Sequence, residues 1–474
     1  MAFTEFCCKS GGSNLNAGTR TGNSTVPGTS ADFTYASGTW VSATGVFTVA
    51  SGDPSADGVA VGDFASVYAD GASVTTLVGR VTARTSTTIT VSTTVKAGTT
   101  TDGTSNRTLK IGGAWQGPNA ASGFPSTLVL SSLTNTSSHI PRVNYKNDQT
   151  YSISAGITDA STAAFQGYAT TYGDGGRATI QGQAGASFVL WSTSGANTRR
   201  WIADLIFDAE NFTSGSSIGI TVAQGNVYRC VVKGARGSGF VIAAWAMFDE
   251  CEAYNCNRNN STLSGGFAVG VSQTGIFNRC ISHHNSGSNT DGFWTYGLSS
   301  TACFTNCIAW ANGKRGFSND GGSNNSLTMF VNCDAYDNVS HGIGAIALSS
   351  LVTSIINCNL IKNGGYGISG VNSIVQNCGF GSGTQVNTSG TTVSTALETG
   401  SVTYANDVTP WTDPANGNFS IALAAAKAAG RGAFTQTQGG YSFGTIGYPD
   451  IGAAQHTDSG GGIPIVRGMH GGMR

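Results

Sequence analysis

The chain has 474 residues, 68 of them Gly, with 10% charged side chains and a formal net charge of −1. That balance, with no Lys/Arg cluster, leaves no electrostatic footprint for nucleic acid, and no apolar run approaches the ~20 residues needed to span a bilayer. A chain this rich in Gly, Ser and Thr suits β-structure with many tight turns, and the opening MAFTEFCCKSGG lacks the basic start and apolar core of a secretory signal.

Residues 1–30 are dominated by Gly, Ser, Asn and Thr. They read as a flexible anchoring arm that orders on a partner, a reading that leaves Cys7 and Cys8 without a role. Over 31–115 the pattern changes to short alternating runs, among them GVFTVA, VGDFASVYADG, TTLVGRVTAR, TTITVS and RTLKIGG. Alternation broken by DG-type turns predicts a small antiparallel β-domain, a barrel or a sandwich. The Gly/Pro-rich stretch GGAWQGPNAASGFP then leads into 116–149, a linker and entry to a solenoid.

A repeat follows. Cys230, Cys251, Cys280, Cys307, Cys333, Cys358 and Cys378 stand 21, 29, 27, 26, 25 and 20 residues apart. Three positions before each lies an apolar residue: Val227, Phe248, Phe277, Phe304, Phe330, Ile355 and Val375. Two positions after come Val232, Ala253, Ser282, Ala309, Ala335, Leu360 and Phe380. Alternate residues of a strand point to opposite faces, so these columns read as inward stacks. Asn306, Asn332, Asn357 and Asn377 align just before the Cys, and Asn285, Asn312, Asn338 and Asn363 five after it. Asn tolerates left-handed corners, and its amide can bond the Asn one turn away. Ile153, Ile180 and Leu205 take the Cys position further upstream. A loose period in the twenties with such columns predicts a solenoid. The fold class is therefore all-β, a right-handed single-stranded parallel β-helix of about ten coils over 150–385. At ~4.8 Å per coil the rod is on the order of 45 Å long. The seven column cysteines read as buried free thiols in a chain folded in reducing cytoplasm. Cys251 with Cys256 and Cys303 with Cys307 have zinc-like spacing, but the repeat already explains Cys251 and Cys307. No metal and no cofactor is expected.

After 385 the Cys phrase stops. Residues 386–455 read as a C-terminal cap, with SIALAAAKAAG as a short Ala-rich helix ended by Gly430. Such a cap would shield the strand edges of the last coil. Residues 456–474 read as a flexible Gly-rich tail.

FQGYATTYGDGGRATI resembles the opening coil of tailspike-like proteins. DPANGNFSIALAAAKAAG followed by PDIGAAQ is similar to the closing segment of many β-helix repeat proteins, and the Cys-Asn-Gly coils resemble the pectate-lyase-like superfamily. Together these resemble the right-handed parallel β-helix virion proteins of tailed bacteriophages, spikes or head decorations, over roughly residues 140–455. The resemblance implies a homotrimer on the virion, assembled in the host cytoplasm and docked on capsid or tail proteins through its N-terminal region. One departure is the lack of a coiled-coil or triple-β trimerisation domain after the rod.

In such folds chemistry sits on the outer face, where loops between coils wall a groove. The distance from Cys to the next Phe or Ile is 10 residues in four coils but 16 after Cys251 and 13 after Cys280. NRNNSTLSG and NSGSNTDG are thus the inserted loops, near Asp249, Glu250, Glu252, His283, His284 and Asp291. Glycosidases need two carboxylates ~5 to 9.5 Å apart, which makes Glu252, Asp291 and His283 the catalytic candidates. The plainer reading is structural. Glu250 shares a column with Arg229 and Arg279, an ion-pair ladder continuing the Asn column. Tyr254, His283, Trp310 and Tyr336 form an outward aromatic stripe that stacks sugars or packs on a neighbouring subunit. Asp320, Asp334 and Asp337 are scattered, unlike a calcium cluster, and no Ser-His-Asp set, phosphate loop or dinucleotide fingerprint is present. The leading function is a non-enzymatic virion protein with host surface polysaccharide as a further partner. The alternative is a tailspike-type polysaccharide depolymerase.

Overall fold

A computed structural model describes residues 2–9, 30–70, 77–92, 103–112, 139–159, 163–185, 187–193, 201–215, 217–260, 264–297, 299–320, 327–345, 352–369, 373–381, 386–387, 398–399, 402–404 and 410–423. The chain divides into two compact units, residues 1–211 and 212–473. Among the described residues no helix is long and apolar enough to cross a membrane.

In the first unit, the alternating runs form six strands, Phe33–Val41, Val46–Thr48, Phe64–Ala69, Leu77–Arg84, Thr88–Val91 and Gly103–Ile111. They close into an antiparallel barrel. Period-2 alternation puts Trp40, Phe47, Val67, Ile89, Leu109 and Ile111 inside, all fully buried. The same unit holds the first coils. His139–Lys146, Ala164–Tyr168 and Trp201–Ala203 stack in parallel, as do Thr150–Ile153, Ala178–Gly182 and Leu205–Asp208.

Two expectations are corrected here. Residues 2–8 are not part of a flexible arm: Ala2–Cys8 is a strand paired in parallel with His139–Lys146, with Phe6 level with Val143 and Cys8 with Tyr145. Residues 139–146, in the stretch expected to link to and enter the solenoid, are in turn a regular solenoid strand, so the coils begin ahead of the expected residue 150. Phe6, Cys7 and Cys8 are buried. The Tyr151 hydroxyl donates to the Cys8 carbonyl at 2.8 Å, and Arg142 Nε donates to Glu5 at 2.9 Å. An open first coil would expose unpaired N–H and C=O groups, and this strand covers them. The Gly/Ser-rich composition further along the arm masked the one apolar segment, FCC, that carries the signal. Residues 10–29 of the arm and 116–138 of the linker lie outside the described residues.

The second unit is built of three-strand coils. One coil runs Thr274–Asn278, Ile281–His283, Thr290–Tyr296, and the next Thr301–Thr305, Ile308–Trp310, Phe317–Asp320. Each strand pairs in parallel with its equivalent one coil on, giving three faces, here called first, second and third in that order. The second face has eight strands in this unit, Val231–Lys233 to Val402–Thr403. Pairing therefore continues past residue 385 into the segment assigned to the cap, with Gly379 opposite Val402. Ladder hydrogen bonds need only backbone, so the coil outlasts its Cys phrase.

The inward columns are as the repeat predicts. Phe248, Phe277, Phe304 and Phe330 stack face to face with centroids 5.2, 4.8 and 5.1 Å apart. Phe240, Phe267, Phe293 and Phe317 form a second stack at 4.7 to 4.9 Å. The column cysteines are free and buried, and each thiol from Cys251 on donates to a carbonyl of the coil before, Cys280 to Phe248 O at 3.5 Å for example. Burial pushes the Cys333, Cys358 and Cys378 thiols far up, so they stay protonated.

The residues just before these cysteines, Arg229, Glu250, Arg279, Asn306, Asn332, Asn357 and Asn377, all have φ between 48° and 55°. This left-handed corner explains the Asn column. Inside the opposite corner, Asn285 donates to Asn312 at 2.8 Å, Asn312 to Asn338 at 2.9 Å and Asn338 to Asn363 at 2.8 Å. A Cβ on Gly292 would lie 2.8 Å from the Asn312 amide nitrogen, which is why Gly precedes the Phe in this repeat.

The C-terminal cap is a hairpin, not the expected helix, in its described part. Trp411–Asp413 pairs antiparallel with Asn418–Ile421 around a 3₁₀ turn at Pro414–Asn416. Ser420 and Ile421, the start of SIALAAAKAAG, are strand because Phe419 and Ile421 alternate inward and override the helix propensity of the alanines. Residues 424–474, including the tail, lie outside the described residues.

Candidate functional site

The two candidate carboxylates lie on different faces of the coil. Glu252 lies on a second-face strand, Glu252–Tyr254, and Asp291 on a third-face strand, Thr290–Tyr296. Asp291 is 2% exposed. Its carboxylate accepts from Arg315 Nε at 2.8 Å, Arg315 Nη2 at 2.7 Å and Ser318 Oγ at 2.7 Å. Arg315 also donates through Nη1 to Asp320 at 2.6 Å. Burial pushes the Asp291 carboxyl above its ordinary range despite Arg315 and Ser318. Burial also draws the Arg315 guanidinium down, but the two carboxylates more than offset that and hold it above its ordinary value. Asp291 is thus the sealed acceptor of a buried ion triad and not a carboxylate on the outer groove. The triad escaped sequence reasoning. Its one signal is GKRGF, where an Arg stands next to the inward Gly-Phe pair.

Glu252 has a different partner. His283 Nε2 lies 2.9 Å from its Oε1, and His283 Nδ1 lies 2.9 Å from His284 Nδ1. With Glu252 as a carboxylate, His283 Nε2 donates to it, and its Nδ1 accepts from the Nδ1–H of a neutral His284. The result is a hydrogen-bonded file from Glu252 to the exposed His284 ring. Partial burial and then the neighbouring His283 lower the His284 pKa. Its backbone sits in the second left-handed corner, at φ 50°.

The aromatic stripe is real over three coils. Tyr254 stacks on His283 at 5.2 Å and His283 on Trp310 at 4.9 Å. It is not an open platform along its length, however. Tyr336 is buried, with Trp411 edge-on at 5.6 Å and Phe419 nearby, and Phe419 also lies 6.1 Å from Trp310. The chain's own hairpin covers that end, so Tyr336 is corrected from a glycan or subunit contact to part of the cap core. Tyr254 and His283 remain partly exposed.

Of the expected ion ladder, the rung between Glu250 and Arg279 is present, and Asp249 joins it. Arg279 contacts Glu250 at 3.1 Å and Asp249 at 2.7 Å. Asn278 also donates to Asp249, at 2.9 Å. Cys256 is buried, and burial pushes its thiol up to about 12. Among the described residues, no group of three or more His, Cys, Asp or Glu side chains gathers into a metal cluster.

No protein-family model and no curated protein matches the chain. Among solved structures it is similar to the A-module of a mannuronan C-5 epimerase of Azotobacter vinelandii, at 16% identity over 50% of this chain and 67% of that one, TM-score 0.40. It is similar to a pectate lyase at 14% identity over 67% and 88%, TM-score 0.36. It is also similar to the tailspike of Acinetobacter baumannii bacteriophage Fri1, a capsular polysaccharide depolymerase, at 10% identity over 63% and 59%, TM-score 0.37. At these identities the likeness is one of fold.

Proposed function

We propose that this chain is a non-enzymatic structural protein of a bacteriophage particle, a stiff β-solenoid that projects as a spike or head decoration. The observation that carries this reading is the commitment of Asp291, the best-placed loop carboxylate, to Arg315 at 2.7 Å inside the fold. Ladders of Phe, Cys and Asn make each coil a template for the next and leave the charged groups to neutralise one another. Docking on capsid or tail proteins falls to the barrel, Phe33–Ile111, since residues 2–8 are spent on closing the first coil. Quantitative mass spectrometry of purified particles tests this. Hundreds of copies per particle mean a head decoration and a few to a few dozen mean a spike, whereas absence from the particle overturns the reading.

A second reading, a polysaccharide-acting protein, is favoured by the Glu252–His283–His284 file beside the exposed Tyr254 ring. Clearing of host capsule by the purified protein, abolished by Glu252→Gln and by His284→Ala, would support it. Clearing that survives both changes would remove those residues.

A further inference from the structure

We propose that His283 and His284 form a two-histidine chelate for a divalent transition-metal ion, with Glu252 as the carboxylate that holds the first ring in place. The inference needs only the geometry of this corner and stands whichever reading of function holds. The two Nδ1 atoms lie 2.9 Å apart. An ion ~2.05 Å from each nitrogen would then see them at an angle of about 90°, the cis angle of square-planar and octahedral ions. A tetrahedral ion would need them ~3.3 Å apart. Imidazole suits nickel, copper and zinc, and a tetragonal nitrogen set selects Ni(II) or Cu(II) among them.

Each ring is fixed for that task by different contacts. His283 is stacked between Tyr254 at 5.2 Å and Trp310 at 4.9 Å, with interplanar angles of 13° and 12°. Its Nε2 lies 2.9 Å from Glu252 Oε1, and a carboxylate that accepts from Nε2–H leaves the lone pair on Nδ1. That is the usual outer shell of a metal-bound histidine, whose second ring nitrogen donates to a carboxylate. Adjacent residues of a regular strand point to opposite faces. The left-handed corner at His284, φ 50°, turns its ring back to the side of His283, where it stands edge-on to Trp310 at 4.4 Å.

In the metal-free chain the Nδ1–H of a neutral His284 bridges the two rings. To chelate, that proton moves to Nε2 of the same ring, a change of tautomer that leaves the imidazole neutral. His284 is exposed, which gives the ion a way in. Among the described residues no third His, Cys, Asp or Glu completes a cluster with the pair. The ion would therefore keep open positions for water or for an oxygen donor of a ligand, unlike the closed shell of a structural site.

Nickel sulfate titrated into the protein in a non-chelating buffer tests this, by calorimetry and by tryptophan emission. One Ni(II) per chain is expected, with quenching of Trp310, whose ring lies against both ligands. His284→Asn keeps the corner, because Asn tolerates left-handed backbone, and should abolish both the saturable heat and the quench. His284→Gln serves if that variant misfolds. Glu252→Gln keeps both ligands and should weaken binding ~10-fold or more. Trp310→Phe keeps a stacking ring and should lose the quench while retaining the stoichiometry. Binding that survives undiminished in the His284 variants would be an adventitious ion on other histidines and overturns the proposal, as does a wild type with no saturable site. An unchanged affinity in Glu252→Gln overturns the role of the carboxylate. Zn(II) bound more tightly than Ni(II) overturns the cis geometry.

Discussion

Arg315 is the position where one substitution should do most damage. Its guanidinium makes two hydrogen bonds to Asp291 and two to Asp320, with side chains 7%, 3% and 8% exposed. Arg315→Met leaves two desolvated carboxylates with no cation. Breaking a buried pair from one side costs ~3 to 5 kcal/mol, a large share of the ~5 to 15 kcal/mol that holds a domain folded. The cost lies in the stranded charge and not in lost attraction alone. Arg315→Met combined with Asp291→Asn and Asp320→Asn should therefore recover more than half of it. Urea unfolding followed by tryptophan fluorescence measures both variants against the wild type. The pH dependence supplies the sign. Burial already raises the Asp291 carboxyl, and without Arg315, which lowers it, its folded-state pKa rises further above the unfolded value, near ~4. Such groups destabilise the fold increasingly as pH climbs from the unfolded pKa towards the folded one. The deficit is thus greatest at neutral pH and narrows towards pH ~4.5. A loss under ~1 kcal/mol, a triple variant as weak as the single, or a pH-independent gap would refute this account.

Three further outcomes are expected. Phe304→Ala removes a ring stacked at 4.8 and 5.1 Å between Phe277 and Phe330, and should cost ~3 to 5 kcal/mol in the same assay. Asn332 occupies a left-handed corner at φ 51° and donates to Asn306 at 3.2 Å. Asn332→Ala should therefore cost ~1 to 2 kcal/mol and Asn332→Gly clearly less, and equal losses would show that the amide ladder, and not the backbone, sets the preference. The imidazole of His284, held down by partial burial and by His283, should titrate in NMR below the ordinary histidine value, and Glu252→Gln should leave that direction unchanged because burial is its main cause.

The parts of the fold legible in the sequence are those whose side chains repeat. The Cys, Phe and Asn columns recur because each occupies a site that every coil reproduces: a small interior slot, a stacking ring, a left-handed corner. The elements that were misread are the ends, where no repeat is possible. Ala2–Cys8 forms the edge that closes the first coil, and three apolar residues in a polar stretch are too few to announce it. Val402–Thr403 extends the ladder through backbone bonds that impose no residue type.

The same contrast explains why the candidate site was only half legible. Glu252 and His283 are each legible as candidates, but their 2.9 Å contact is not, because register sets Ile281 level with Glu252 and the pair meets across the diagonal of adjacent strands. Asp291 was paired with Glu252 because each lies beside an inserted loop, Glu252 ahead of NRNNSTLSG and Asp291 near the end of NSGSNTDG. Loop length, however, fixes where the chain leaves the coil and says nothing of which way the returning strand turns its first side chain. Asp291 returns level with Gly265, its side chain buried, and Arg315, 24 positions on and two residues ahead of the next third-face strand, reaches it. A solenoid sequence is informative column by column, and a charge inside it becomes interpretable only once the coil that carries its counter-ion has been placed beside it.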